Sequence, residues 1–337
     1  MKKSVFASVI MILALVFCGM SIVKDNKPVE NSDGTIVLRM AQTSSENGAI
    51  GQTMNIFADK IFKATNGRYK IETYHNGQLG AEIDTIEGCQ MNTIDIAVVN
   101  QSTLGNFIRE FQALDIPYLI TSIEQADAVF MGDIGREFLK KLSGVQIYGL
   151  SVWESGFRNL TNSVHPVNSL ADVKGLKIRT MENKIHIAFW KEMGADATPM
   201  SWGEAYTALQ QGALDGQENP SLVILTNNVA QVNKYLAVTQ HAYSTVFLIM
   251  SPVTWNSLGT EYQKIFMDVM RECDIYEREL SRSMDAEAIG KLAEQGMTAT
   301  YPNKQEFVDA GASLYAQWEA EYGDMITRIR QLGTVKQ

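Results

Sequence analysis

Two arginines set among apolar neighbours are the residues best suited to chemistry in this chain. Gly156-Phe157-Arg158-Asn159-Leu160-Thr161-Asn162 and Leu176-Lys177-Ile178-Arg179-Thr180 each place a guanidinium inside a strand-like segment. On an extended strand Lys177 and Arg179 share one face, opposite Leu176 and Ile178. A guanidinium is a planar fork that meets a carboxylate through two parallel hydrogen bonds, so the chemistry on offer is recognition of an organic acid. For either arginine alone, an ordinary ion-paired role is the competing reading. Asp215-Gly216-Gln217-Glu218-Asn219-Pro220 is equally dense in hydrogen-bonding side chains and has the composition of a turn.

Catalytic and cofactor signatures are thin. The histidines, His75, His165, His186 and His241, are dispersed, and none falls in a metal-binding spacing. Gly149-Leu150-Ser151-Val152-Trp153 begins like a nucleophile elbow but has Trp where the tight turn needs a second glycine. No Gly-rich phosphate cradle follows a strand, so neither a nucleotide cofactor nor a metal is expected.

These segments need a scaffold of strands and helices. From Thr35 the pattern reads strand, helix, strand, helix, strand: Ile36 to Met40, helical spacing from Ile50 to Ile61 stopped by Asn66-Gly67, Tyr69 to Tyr74, a short helix to about Met91, and Ile94 to Val99. That order predicts an α/β fold with a mostly parallel sheet, and the grammar returns between Val145 and Gln211. Ser201-Trp202-Gly203-Glu204 has the form of a capping box, predicting a helix that exits near Gly212. Tyr262, Phe266, Val269, Cys273, Tyr276 and Leu280 step by four and three, and helical composition runs on to about Glu294. At 1.5 Å per residue that helix is roughly 50 Å long, too long for one domain of about 100 residues. It is expected to cross between two domains, in line with the roughly two that 337 residues predict.

Composition narrows the partners. With 45% hydrophobic and 20% charged residues the chain can bury a large core, and its net charge of −9, without a basic cluster, argues against nucleic acid. Met1-Lys2-Lys3 followed by an uncharged run from Ser4 to Val23 reads as a secretory leader, with an uncleaved anchor as the alternative. Leu15-Val16-Phe17-Cys18 resembles a bacterial lipobox, though Phe17 stands where a small residue is usual, so Cys18 is a candidate lipidation site. Residues 24–34 are polar and read as a tether. Cys89 and Cys273 sit in apolar-periodic segments and are expected to be buried free thiols.

Four stretches taken together resemble the solute-binding proteins of tripartite ATP-independent periplasmic (TRAP) transporters, the DctP-like family: Trp153 to Asn162, Asp172 to Arg179, Pro199 to Gln210, and Asp215 to Pro220. The resemblance implies a two-domain periplasmic-binding-protein-like clamshell with a long helix spanning both lobes. Lobe one would hold about 35–154 and 245–284, and lobe two about 155–244 and 285–337. It also implies that Arg179 pairs with a ligand carboxylate, that Arg158 and Asn219 stand near the ligand, and that Trp202 forms an aromatic wall. Gln42, Thr43, Glu82, Asn100, Glu154, Glu182 and Gln217 complete the candidate cleft set. Those acceptors and amides suit hydroxyl groups, pointing to a monocarboxylate sugar acid such as a hexuronate. The family implies no catalysis and no cofactor, a monomer in the periplasm or lipid-anchored at the outer face of the cytoplasmic membrane, and delivery to TRAP membrane permease subunits. Other classes stay open: a binding module of an ATP-driven importer or sensor, and a secreted enzyme acting on small carboxylic acids.

Overall fold

The first apolar run forms strand β1 (Ile36–Ala41), and the 3.6-residue spacing after it forms helix α1 (Ala49–Ala64), which buries Met54, Phe57 and Ile61. Strand β2 (Tyr69–Tyr74), helix α2 (Glu82–Gln90), strand β3 (Ile96–Asn100) and the short helix α3 (Gln101–Leu104) follow. The computed structural model describes Pro28 and residues 30–333. The expected leader, Cys18 included, lies outside the described residues. Of the expected tether, residues 30–34 fold back: Glu30 bridges to Ile36 and pairs with Arg68 at 2.6 Å.

The chain then runs through a 3-10 turn at Arg109–Asp115, helices α4 (Ile123–Phe130) and α5 (Asp133–Lys141), and a long strand β4 (Tyr148–Asn162). Next come β5 (Lys177–Thr180), α6 (Lys184–Glu192), β6 (Asp196–Pro199), α7 (Trp202–Gln210), β7 (Gly216–Pro220), α8 (Ser221–Thr226) and a second long strand, β8 (Tyr235–Met250). Helix α9 (Pro252–Glu294), β9 (Thr298–Thr300), α10 (Lys304–Ala310) and α11 (Ala312–Gly333) complete it.

All nine strands join one sheet, in the order β2-β1-β3-β8-β4-β7-β5-β6 with β9 on β8. It is mixed: five of its eight pairings are parallel, as the sequence pattern predicts, and three are antiparallel. β1 to β3 are parallel in one half and β5 to β7 in the other, but β8 is antiparallel to β3 and β4, and β4 to β7. The cause is connectivity: β4 and β8 each run through both halves, and a strand returning through the middle must oppose its neighbour. The segment Asp215 to Pro220, turn-like in composition, is largely strand β7, and all five of its strand residues are buried.

Apolar cores pack on both faces. One gathers Phe111, Phe138, Phe247 and Trp318; the other gathers Phe57, Trp153, Phe266 and Met270. Helix α9 breaks at Gly259, whose φ of 70° is non-helical, and then runs unbroken to Glu294, about 52 Å. Its buried stripe is apolar from Phe266 to Cys273, polar at Glu277 and Ser281, and apolar again at Ala288 and Leu292. The stretch from Phe266 to Cys273 belongs to the core around Phe57, Leu292 belongs to a smaller third cluster with Ile224, Val229, Leu236 and Met297, and the polar interval lies where the helix crosses β4. Helix α11 departs from the expected division of the chain. Although it falls in 285–337, it packs on α4 and the 109–115 turn: Gln125 donates to the Ile329 carbonyl at 3.1 Å and Tyr322 to Gln112 at 2.8 Å. Its apolar residues Trp318, Tyr322, Ile326 and Ile329 complete the core that those segments leave open. Cys89 and Cys273 are buried free thiols.

Candidate functional site

Between the two halves of the sheet lies a cavity lined from both sides. One half contributes Thr43 from the loop after β1, Glu82 from the first turn of α2, Asn100 from the end of β3, and Thr103. The other contributes Arg179 from β5, Glu182, Trp202 from α7 and Asn219 from β7, while Ser155 and Arg158 come from the crossing strand β4. Strand ends gather here because the order of connections reverses in mid-sheet, leaving a crevice at the carboxyl ends of the parallel strands. Thr43, Ser201 and Trp202 also line a wider, polar mouth that includes Asn47, Asn76, Asp84 and Asn227.

Arg179 is 4% exposed. Its Nε donates to the Met200 carbonyl at 2.7 Å, and its Cζ lies 5.7 Å from the centre of the Trp202 ring. Among the described residues no carboxylate forms an ion pair with it, so its terminal nitrogens are uncommitted in the cavity wall. Burial and the neighbouring Arg158 lower its pKa to about 10 against the pull of Glu218, Glu82 and Glu182. A guanidinium left this way is a strong paired donor to a ligand carboxylate.

Arg158 is committed instead. Its Nε donates to Glu218 Oε2 at 2.5 Å and its Nη2 to Glu218 Oε1 at 2.9 Å, to the Glu218 carbonyl at 2.6 Å and to Asn219 Oδ1 at 3.2 Å. Only Nη1 is lightly held, by Ser244 Oγ at 3.4 Å. Glu218 also meets His241 Nε2 at 3.0 Å and His186 Nδ1 at 3.5 Å. Burial alone would raise the Glu218 pKa, but Arg158 and the two histidines hold it well below the usual carboxylate range. Burial pulls His186 down, yet Glu218 and Asp115 win and lift it to about 9. Burial, reinforced by repulsion from His186 and Arg158, keeps His241 below its usual value despite Glu218. Neutral His241 therefore donates through Nε2 to Glu218 and accepts from Thr239 at Nδ1, 2.9 Å away.

The remaining candidates divide. Thr43, Glu82, Asn100, Glu182, Trp202 and Asn219 line the cavity with the two arginines. Asn100 is partly spent, donating to Ser244 at 2.7 Å and capping α3 through Ser102 N. Glu182 is exposed at the rim, and Asn106 bonds its backbone carbonyl at 2.7 Å. Gln42, Glu154 and Gln217 are not in the cavity wall. Gln42 is buried against His75, 2.8 Å away, and Gln217 bonds Thr161 at 2.8 Å inside the sheet. Glu154 is turned toward α9, where Arg282 holds it at 2.9 Å, because a bulge between Glu154 and Gly156 swings the strand's side chains past the cleft. At the start of α7 the predicted reciprocal cap is replaced by a side-chain bond, Ser201 Oγ to Glu204 at 2.7 Å. Sequence reasoning missed Glu218 as the counter-ion of Arg158, and the convergence of His186 and His241 on it. No metal-holding group of His, Cys, Asp or Glu occurs among the described residues.

Comparison with known proteins agrees with this geometry. Residues 40–321 match the model of the family described as bacterial extracellular solute-binding protein, family 7. A solute-binding protein of Verminephrobacter eiseniae is 37% identical over 287 residues, 85% of this chain and 86% of the relative. A TRAP periplasmic solute-binding protein from a Polaromonas species, solved with D-erythronate, superposes with a TM-score of 0.85 at 36% identity, covering 89% of this chain and 99% of that one. The sugar acid-binding protein of Advenella mimigardefordensis, solved with galactonate, superposes with a TM-score of 0.86 at 27% identity, covering 88% and 97%. The two sheet halves are thus the lobes of a periplasmic-binding-protein clamshell, with α9 as the helix shared between them. On its sequence match and its fold, the chain belongs to the DctP family, the extracytoplasmic solute-binding proteins of TRAP transporters.

Proposed function

We propose that this protein captures a small polyhydroxylated monocarboxylate, such as an aldonate or hexuronate, outside the cytoplasm and delivers it unchanged to a TRAP permease. The observation that carries the reading is Arg179, a buried guanidinium in the wall of the interlobe cavity with no ion pair among the described residues. The ligand carboxylate takes its two terminal nitrogens, and Arg158 Nη1 supplies a further donor. The hydroxyls meet Thr43, Glu82, Asn100 and Asn219, while Trp202 covers an apolar face of the carbon chain. The relatives solved with D-erythronate and galactonate bracket the expected length at four to six carbons.

The acid is held and released, not turned over. Closure of the lobes around it gives the permease a surface to recognise. The chain acts as a monomer outside the cytoplasm, either in the periplasm or lipid-anchored through Cys18 at the outer face of the cytoplasmic membrane. The lobes divide near 154/155, 244/245 and 284/285, with α11 strapped back onto the first lobe.

A thermal-shift screen tests this, because a ligand that binds only the native state raises apparent stability. Four- to six-carbon aldonates and uronates are expected to raise Tm, and mass spectrometry is expected to recover the bound acid unaltered. Stabilisation by short dicarboxylates or aromatic acids alone, or conversion of the acid, overturns the proposal.

A further inference from the structure

We infer that Glu82 sets the charge of the ligand: its carboxylate admits a hydroxyl donor and rejects a second carboxylate, making it a specificity-determining residue of the cavity. The inference rests on the carrier reading above and narrows it.

The observation is a count of the charges that enclose the cavity. Arg158 is paired through two nitrogens with Glu218, so that couple is neutral toward a ligand. Glu182 stands exposed at the rim, where water screens it. The charges that remain inside are Arg179 from one lobe and Glu82 from the other. Glu82 belongs to no ion pair among the described residues. Its Oε1 accepts from Asn100 N at 3.2 Å and its Oε2 accepts from the Thr103 hydroxyl. A carboxylate oxygen has two lone-pair directions, so each retains one. Half-buried Glu82 lines the cavity, and burial already pushes its pKa up despite those two donors.

A ligand that places its carboxylate on Arg179 must therefore present donors at Glu82. A hydroxyl gives a hydrogen bond to an anion, stronger than a neutral one. A second carboxylate there would set two anions together with no cation between them and little water to screen them, a costly juxtaposition.

Matched pairs that differ only by oxidation of the terminal carbon isolate the effect: D-erythronate with meso-tartrate, and D-galactonate with galactarate. Calorimetry on wild-type protein is expected to give at least ~100-fold tighter binding of the monoacid in whichever pair fits. Glu82→Gln, which keeps shape and removes charge, is expected to narrow that ratio at least ~tenfold, chiefly by gain on the diacid. In wild-type protein the diacid is also expected to gain on the monoacid as pH falls and its second carboxyl takes a proton. This second readout does not depend on the variant folding. A wild-type protein that binds the diacid as tightly as the monoacid, or a Glu82→Gln ratio equal to the wild-type ratio, overturns the inference and leaves the carrier reading standing. Failure to bind either member of either pair, with no four- to six-carbon aldonate or uronate raising Tm, overturns the sugar-acid reading, and the inference with it.

Discussion

The guanidinium of Arg179 lies against Trp202, its Cζ 5.7 Å from the ring centre, although the two residues belong to different elements, β5 and the first turn of α7. With Nε tied to the Met200 carbonyl, just before that turn, the plane of the fork is fixed before any ligand arrives. The site is thus preorganised, and a ligand need not spend binding energy on ordering its main anchor.

Removing that anchor should be severe. Arg179→Ala is expected to weaken the binding of the acid by about two to four decades in Kd, the cost of deleting one partner of a buried charge pair. Arg179→Lys keeps the charge but loses the fork and the stacking, and should still cost at least ~tenfold. Titration calorimetry measures both, and a lysine variant with wild-type affinity would refute the bidentate role.

The same residue should trade stability for function. Its charge is buried and has no ion pair among the described residues, so Arg179→Met is expected to raise the Tm of ligand-free protein while abolishing the ligand-induced rise. Scanning calorimetry of the variant with and without acid separates the two effects.

Arg158 and Glu218 form a couple 2% and 0% exposed in their side chains. Breaking it from one side, as in Glu218→Gln, leaves a buried cation and should cost about 3–5 kcal/mol in urea unfolding. Replacing both with apolar residues of similar volume should recover part of that loss. A single variant as stable as wild type would show that the pair does not support the fold.

Stability should fall from mildly acid to alkaline pH. His186 holds its proton to about 9 in the fold, above the ordinary imidazole value of 6.5, so its contribution is complete below 6.5 and lost as pH rises through 9. Glu277, pushed up to about 8 by burial and by Glu154 against Arg278 and the backbone N–H of Glu154, also binds more proton folded than unfolded. Stability therefore declines between 4.5 and 8 on its account. Glu218 works in the opposite sense, and its contribution is lost as pH falls through its depressed folded value. Tm measured from pH 4 to 9 should peak on the acid side, and Glu277→Gln should flatten the limb between 5 and 8. An unchanged slope in the variant would assign the decline elsewhere.

How much of this was legible in the sequence depended on whether a residue's role was local. β2 runs from Tyr69 to Tyr74 as its pattern predicts, and β1 differs by one residue, because one apolar strand between turn signals defines itself. The long helix was legible for the same reason. β4 and β8 were not: both are buried along nearly their whole length, which erases alternation, and Ser, Thr, Asn and Glu inside them mimic loops. The turn-like Gly216-Gln217-Glu218-Asn219-Pro220 is a strand because β4 and β5 flank it on both sides, a fact of pairing at long range. Arg179 could be found from its apolar neighbours together with the family motif. Glu218 could not be matched to Arg158, 60 residues away, nor His241 to either, because only the register of β4 against β7 and β8 brings them together. Gln42 and Glu154 failed as cleft candidates for a similar reason, since a side chain's direction at a strand end or a bulge is set by the neighbouring strand.

The pairing of β3 with β8 has a kinetic consequence. Residues 96–100 find their partners at 246–250, so the first three strands lack one flank until nearly three quarters of the chain is present. Loop closure over such a distance slows folding, and β4 cannot substitute, because it too zips along β8. A polypeptide wired this way keeps its centre unmade through most of its synthesis. It acquires its native topology late, organised around a strand from the last third of the chain.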